Sequence, residues 1–235
     1  MRNQGELLTK DRIGFEKFNI ALGLLYKEWY QLISNNFSLI DGINIELGCG
    51  ASFIDQVNKS IKKTDVFLNS NTDFKLDAME IGTQFENKIS NLILVNVFHH
   101  ISNPEKFLNA AEKCLLSKGR IIMIEPSNNF WSSLVYKFIG HETFDTNQVD
   151  WIFESKDPLL DSNQALSWII FKRDYEKFRN LYPMFSLVKK KTIMPISYII
   201  SGGHTLNTRV GRFINIIRKI EKLFFDKHFG MFNLI

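Results

Sequence analysis

Only two cysteines occur among the 235 residues, Cys49 and Cys114, and no C-x-x-C pair is present. The five histidines are spread along the chain. Zinc-type spacings are therefore lacking, and no metal is expected. So few cysteines suit a reducing compartment. No apolar run approaches the roughly 18 residues that a membrane-spanning helix requires, so none is expected. Met1-Arg2-Asn3-Gln4-Gly5 is not followed by an apolar stretch, and no secretory signal is expected; the expected location is cytoplasmic. The fingerprint G-x-G-x-x-G is absent, which disfavours a dinucleotide oxidoreductase. There is no internal repeat and no low-complexity tract.

Net charge is small, at +4, but unevenly placed. Residues 186–235 hold nine Lys/Arg against Glu221 and Asp226, or +7, which leaves −3 for the rest. Within that basic segment, Val210, Phe213, Ile214, Ile217, Ile220, Leu223 and Phe224 recur at three- and four-residue intervals. This predicts a helix from about 207 to 225 with one apolar face. The face either packs on its own domain or, with Arg209, Arg212, Arg218, Lys219 and Lys222, meets an anionic membrane surface.

The densest chemistry lies in Asn44-Ile45-Glu46-Leu47-Gly48-Cys49-Gly50-Ala51-Ser52. An apolar run ends in an acid, and a glycine turn follows. Gly48 and Gly50 permit a tight turn that brings a ligand close to main-chain N–H groups, and a helix is expected over 53–59. Glu46 would repel a pyrophosphate and favour a cation. Asp65 ends the next extended segment, near the spacing at which an acid meets a ribose. Leu76-Asp77-Ala78-Met79 places another acid after a short extended stretch. Leu92 to Phe98 is a strongly apolar strand closing on His99-His100. A helix begins at Pro104 and stops at Ser117-Lys118-Gly119. Arg120 to Pro126 is a fifth strand, and strand material resumes at Phe185-Ser186-Leu187-Val188. Gly230 to Ile235 reads as a last strand.

Taken in order, ELGCG (46–50), Asp65, LDA (76–78), NVFHH (96–100) and KGRIIMIEP (118–126) resemble the class I S-adenosylmethionine-dependent methyltransferases, in particular the type-11 group. The resemblance covers about residues 40–126. More loosely, LYKEWYQLI (25–33), TDVFLN (64–69), HETFD (141–145), ISGGH (200–204) and GMFNLI (230–235) resemble a subgroup associated with lipopolysaccharide and other cell-surface glycans. The implied fold is a doubly wound, mostly parallel, Rossmann-like α/β sheet. Residues 1–38 would form an N-terminal helical cover and 39–126 the cofactor-binding core. A helical, aromatic-rich lid inserted after strand 5 would span 127–185. Residues 186–235 would complete the core with the final strands and the basic amphipathic helix.

The resemblance implies S-adenosyl-L-methionine as cofactor and assigns its contacts. Glu46 would favour the amino group, Gly48, Cys49 and Gly50 would form the close turn, and Asp65 would accept both ribose hydroxyls. Asp77 would take the adenine amino group, the Ala78 N–H a ring nitrogen, and Asn96 the methionine moiety, with Tyr26 and Tyr30 near the same end. Ser52 departs from the family, many of whose members carry a third glycine there. For a hydroxyl acceptor a base is required. His100 is the first candidate, since it follows the fourth strand and titrates near neutrality. His141, beside Glu142 in the lid, is the second, and His99 equally suits a core position. The acceptor would be a small molecule or a glycan, foremost a sugar hydroxyl of a cell-surface glycan or its lipid-linked precursor. A small lipid or quinone is the alternative acceptor, and a non-catalytic binding module a further alternative. A nucleic-acid substrate is not expected: the N/D-P-P-Y/F motif of amino-methylating relatives is missing, and the excess charge sits in one segment.

Overall fold

The computed structural model describes residues 4–139, 142–204 and 208–235. The chain opens with helices α1 (Gln4–Arg12), α2 (Phe15–Phe18) and α3 (Ile20–Ser34). Strands β1 (Ile43–Leu47), β2 (Ile61–Asp65) and β3 (Phe74–Lys75) follow, then the short α4 (Ile81–Gln84) and β4 (Ile89–Val95). Helix α5 (Pro104–Cys114) leads into β5 (Leu115–Pro126) and α6 (Phe130–Ile139). After the one-turn α7 (Leu166–Trp168) and α8 (Tyr175–Leu181) come β6 (Lys191–Ile193), α9 (Ser197–Ile200), α10 (Ile214–Phe224), α11 (Asp226–Phe229) and β7 (Phe232–Leu234).

The strands form a seven-stranded sheet in the order β3-β2-β1-β4-β5-β7-β6. Pairs from β3 to β5 are parallel, and β7 runs antiparallel to both β5 and β6. This is the doubly wound, Rossmann-like sheet that the motif order implied. Strand order reverses between β1 and β4, and the crevice beyond their carboxyl ends is where such sheets bind ligands. Side chains alternate faces along β4. Leu92 and Leu94 face Phe107, Leu108 and Ala111 of α5 together with Trp151, Ile169 and Phe171 from the insertion. Ile93 faces the opposite cluster, built on Leu22, Leu25, Trp29 and Ile33 of α3. Asn103 caps α5 by accepting from Lys106 N at 2.8 Å, with Pro104 in the first turn, a favoured start for a helix.

Two local expectations are corrected. In place of a helix over 53–59 there is one 3-10 turn, Ile54–Gln56; the chain must reach β2 at Ile61, too soon for regular helix. The strand expected at 185–188 lies instead at Lys191–Ile193. Its partner sets the position: Lys191, Thr192 and Ile193 pair with Leu234, Asn233 and Phe232, while Val188 is largely exposed.

The tail helix exists, as α10, but only part of its apolar face packs, with Val210 and Ile217 half-buried against the core cluster. Ile214 is buried, yet Phe213 is 72 % exposed, Leu223 76 % and Phe224 68 %. Charge faces inward beside Ile214: Arg218 and Glu221 are both buried. The buried Arg218 is therefore not part of the basic surface that the sequence suggested. Its guanidinium bonds Asp226 at 2.9 and 3.0 Å, Glu28 of α3 at 2.7 Å, and Glu221. Glu221 also accepts from Ile196 N and Ser197 N, both at 2.6 Å, and Asp226 from Met194 N at 3.0 Å. One arginine thus ties α10 to α3, to α11 and to the end of β6.

Removing a buried ion-pair partner leaves its counter-charges unpaired and costs about 3–5 kcal/mol. Arg218→Met should lower the unfolding free energy by that amount near neutral pH. Lys222→Gln, which removes a half-exposed partner of Glu28, should cost under about 1 kcal/mol. Urea denaturation of both variants checks this; equal effects would contradict the reading of the cluster.

Candidate functional site

The glycine turn at the end of β1 is left-handed at Gly48 and Gly50, with φ of +59° and +47°. A Cβ on Gly48 would lie 2.8 Å from the Val97 side chain, so the turn packs directly on the segment after β4. The turn is also held from β2. Gly50 N donates to Asp65 Oδ2 at 2.9 Å, and Phe67 N to Oδ1 at 3.1 Å. Cys49 N donates to Thr64 O at 2.8 Å. Asn71, which no sequence pattern singled out, donates to Gly50 O at 3.1 Å and Ser52 O at 2.5 Å. Burial raises the Asp65 carboxyl above its ordinary range, opposed by these backbone donors. Burial, aided by Glu46 and Asp65, also pushes the Cys49 thiol up, so this cysteine is a packing residue of the turn. Ser52, the departure from the resembled glycine pattern, is buried and accepts from Ile54 N at 3.2 Å.

Glu46 lies inside the crevice wall, almost wholly buried. Burial pushes its carboxyl up to about 8, and Ser52 and Lys63 only partly offset that. Among the described residues, its Oε2, the Tyr30 hydroxyl and Asn96 Oδ1 make no hydrogen bond. Unpaired buried polar atoms are costly, and this set would suit a ligand carrying a positive, hydrogen-bonding group. Asn96 stands at the end of β4 with φ +54°, a conformation that asparagine tolerates. Above the turn stands a group of rings. Phe15 lies 5.1 Å from Tyr26 and 5.8 Å from Phe53, and Tyr30 lies 5.0 Å from Phe53. His204 closes the group, 4.7 Å from Phe15, with the Tyr26 hydroxyl 2.9 Å from its Nε2. Phe15, Phe53 and His204 were not anticipated as site residues. At the far end Asp77 accepts from Met79 N at 2.8 Å and caps the turn that begins at Ala78. Both residues are half-buried, beyond β3.

A second group of charges sits beyond β4 and β5. Glu125, at the end of β5, accepts from Val97 N and Phe98 N, each at 2.8 Å, and its other oxygen meets His99 Nδ1 at 2.6 Å. His99 was open to a core reading; it is buried, but it is also charged. Burial works against the imidazolium, yet Glu125 and Glu142 outweigh it and hold the pKa at about 10. His99 Nε2 is 3.3 Å from Glu142 Oε2, and His100 Nε2 is 3.9 Å from the same oxygen. His100 Nδ1 lies 3.3 Å from Asp161 O. A carbonyl only accepts, so Nδ1 carries the proton and Nε2 keeps its lone pair. Burial and the neighbouring His99 charge lower His100 to about 4. Burial works to raise Glu142, but the bond and charge of His99, with His100 and Ser162, together outweigh it and lower the carboxyl to about 2. The signal for this cluster was present in the sequence as the acids of IEP and HETFD, but nothing in the pattern joined them to the histidines. His141 lies outside the described residues.

The same sheet occurs in solved structures. The chain is similar to a SAM-dependent methyltransferase from Archaeoglobus fulgidus, at 14% identity over 93% of this chain and 95% of that one, with a TM-score of 0.54. It is also similar to a chain in the Haloferax volcanii complex between the Trm112 methyltransferase activator and a methyltransferase, at 12% identity over 100% and 97%, with a TM-score of 0.52. No family model and no curated protein matches the chain. At such identities the likeness establishes the fold alone: a mostly parallel, Rossmann-like sheet with flanking helices.

The raised Glu46 pKa has a consequence for stability. An acid whose folded pKa, about 8, exceeds its ordinary 4.5 keeps its proton at a cost once the unfolded chain has released it. Stability is therefore lost progressively from about pH 4.5 to 8. Glu46→Gln should match wild type at pH 4 and exceed it increasingly up to pH 8, by a few kcal/mol. Thermal melts across that range check this. A pH-independent difference would mean that Glu46 is ionised throughout.

Proposed function

We propose that the chain is an S-adenosyl-L-methionine-dependent methyltransferase. The observation that carries this reading is the crevice at the ends of β1, β2 and β4. There the buried Glu46 with its unpartnered oxygen, the Gly48–Gly50 turn and the Asp65 carboxylate stand below the rings of Phe15, Tyr26, Tyr30 and Phe53. When bound, the cofactor supplies a methyl carbon already activated by a sulfonium. Glu46 would ionise against its amino group, Asp65 would accept the ribose hydroxyls, and Asp77 with Ala78 would meet the adenine edge. Asn96 and Cys49 border the methionine end and the turn. Aromatic faces favour a cation held over them. The protein's main work would be to orient the reactants and exclude water.

For the acceptor we propose a sugar hydroxyl of a cell-surface glycan or its lipid-linked precursor, with a small lipid or quinone as the alternative. His100, neutral and with Nε2 open, is the base proposed for that hydroxyl; His141 is its competitor. The full chain should bind S-adenosylmethionine and its demethylated product at micromolar affinity, about −8 kcal/mol. Asp65→Ala should weaken both by about 1–3 kcal/mol. Calorimetry that finds no heat with either ligand, or tighter binding of NAD, would remove the reading.

A lipid-linked acceptor is favoured by the outward face of α10. Among the described residues no helix is long and apolar enough to cross a membrane. Yet Phe213, Ile216, Ile220, Leu223 and Phe224 are exposed together, with Arg212, Lys219 and Lys222 exposed beside them. Apolar side chains ringed by bases suit the interface of an anionic bilayer, each base contributing about 1 kcal/mol near the surface. We place the enzyme in the cytoplasm, peripherally at the inner face of such a membrane. Co-sedimentation with vesicles should rise with phosphatidylserine content and fall with salt. Arg212, Lys219 and Lys222 changed together to Gln should abolish it while the melting temperature holds within a few degrees. A wild type that ignores vesicles at low salt would refute peripheral binding and favour a soluble acceptor.

A further inference from the structure

His99 and His100 follow one another in a 3-10 turn, Phe98–His100, yet both direct Nε2 at one carboxylate, Glu142. Each ring is fixed from behind: His99 by Glu125 at 2.6 Å, His100 by the Asp161 carbonyl at 3.3 Å. Metal-ligating histidines characteristically have the second ring nitrogen tied to a carboxylate or a backbone carbonyl in this way. Here both varieties occur side by side. Glu142 is itself held by Ser162 Oγ and Gln164 Nε2, each at 3.2 Å. The three ligand atoms lie within 4.8 Å of one another. Around a tetrahedral ion with bonds of about 2.1 Å, ligand atoms stand about 3.4 Å apart. The 3.3 Å and 3.9 Å separations to Glu142 are close to that. The lone pair on His100 Nε2 now faces a carboxylate with no proton of its own to share, an arrangement that a cation between them would relieve.

We propose that His99 Nε2, His100 Nε2 and Glu142 form a three-ligand site for a zinc-type divalent cation. Two imidazoles and one carboxylate suit zinc, and three protein ligands leave a fourth position open. On binding, the ion replaces the proton that His99 Nε2 shares with Glu142, and that proton leaves to solvent. The ion also takes up the His100 lone pair. An ion-loaded chain and a chain with His100 free to act as a base are then alternatives, so the ion would restrain transfer to a hydroxyl. Occupancy of the site is independent of the methyltransferase reading; only this last consequence rests on it.

The test is cobalt(II) titration of the chelator-treated full chain, followed by visible absorption. One equivalent should give the intense spectrum of a tetrahedral ion, and zinc should bleach it. Glu142→Gln and His100→Gln should each abolish the spectrum, and Glu125→Gln, which loosens His99, should weaken binding about 10–100-fold. Circular dichroism keeps folding failures apart, and Glu142, with a side chain 37 % exposed, is the variant least able to disturb the core. No tetrahedral spectrum in the wild type would overturn the proposal. So would a spectrum that survives in both Glu142→Gln and His100→Gln; the three groups would then be an ion-paired cluster alone. Because cofactor calorimetry is a separate measurement, failure here leaves the methyltransferase reading standing, and the converse also holds.

Discussion

The crevice depends on one carboxylate at the end of β2. Asp65 takes a hydrogen bond from Gly50 on the β1 turn and another from Phe67 on its own strand's exit. Two loops leaving adjacent parallel strands would otherwise diverge, since nothing in a parallel ladder fixes what lies beyond the last rung. With the clasp in place, Gly48 and Gly50 keep their left-handed conformations, the turn rests on Val97, and Glu46 is sealed beneath it. Each carboxylate oxygen takes one backbone donor, and a carboxylate has lone pairs to spare. The group that shapes the site can thus also bind in it.

Sequence reasoning reached the sheet because its signals are local. Apolar runs mark β1, β4 and β5, and glycine or acidic residues mark their ends, so order and spacing implied the doubly wound arrangement. It failed where a partner distant in sequence decides. β6 is placed by pairing with β7 and not by the apolar residues at 185–188. The turn after Gly50 is too short for the helix that its residues allow. Asn71 and Glu125 bind backbone from afar, and hydrogen bonds to backbone leave no periodic trace.

The tail helix shows the same limit in sharper form. Periodicity reports which face of α10 is apolar, not how much of it packs: Ile214 and Ile217 meet the core while Phe213, Leu223 and Phe224 stay exposed. Arg218 takes a buried place beside Ile214 and Ile217 because three carboxylates from α3, α10 and α11, two of which also take backbone N–H groups, surround it. The His99 cluster follows a similar rule, a buried cation between two acids. In both places charge is retained inside only where every member is paired, as low dielectric requires.

The central claim is that the Asp65-clasped crevice is a cofactor site. A crystal structure of the full chain with S-adenosylhomocysteine tests it most directly. The account predicts both ribose hydroxyls on the Asp65 carboxylate, the amino group within hydrogen-bond reach of Glu46 or the Gly48 turn, and the sulfur beneath the rings of Tyr26 and Tyr30. A ligand bound elsewhere on the molecule, or an Asp65 carboxylate that makes no contact with it, would contradict the claim.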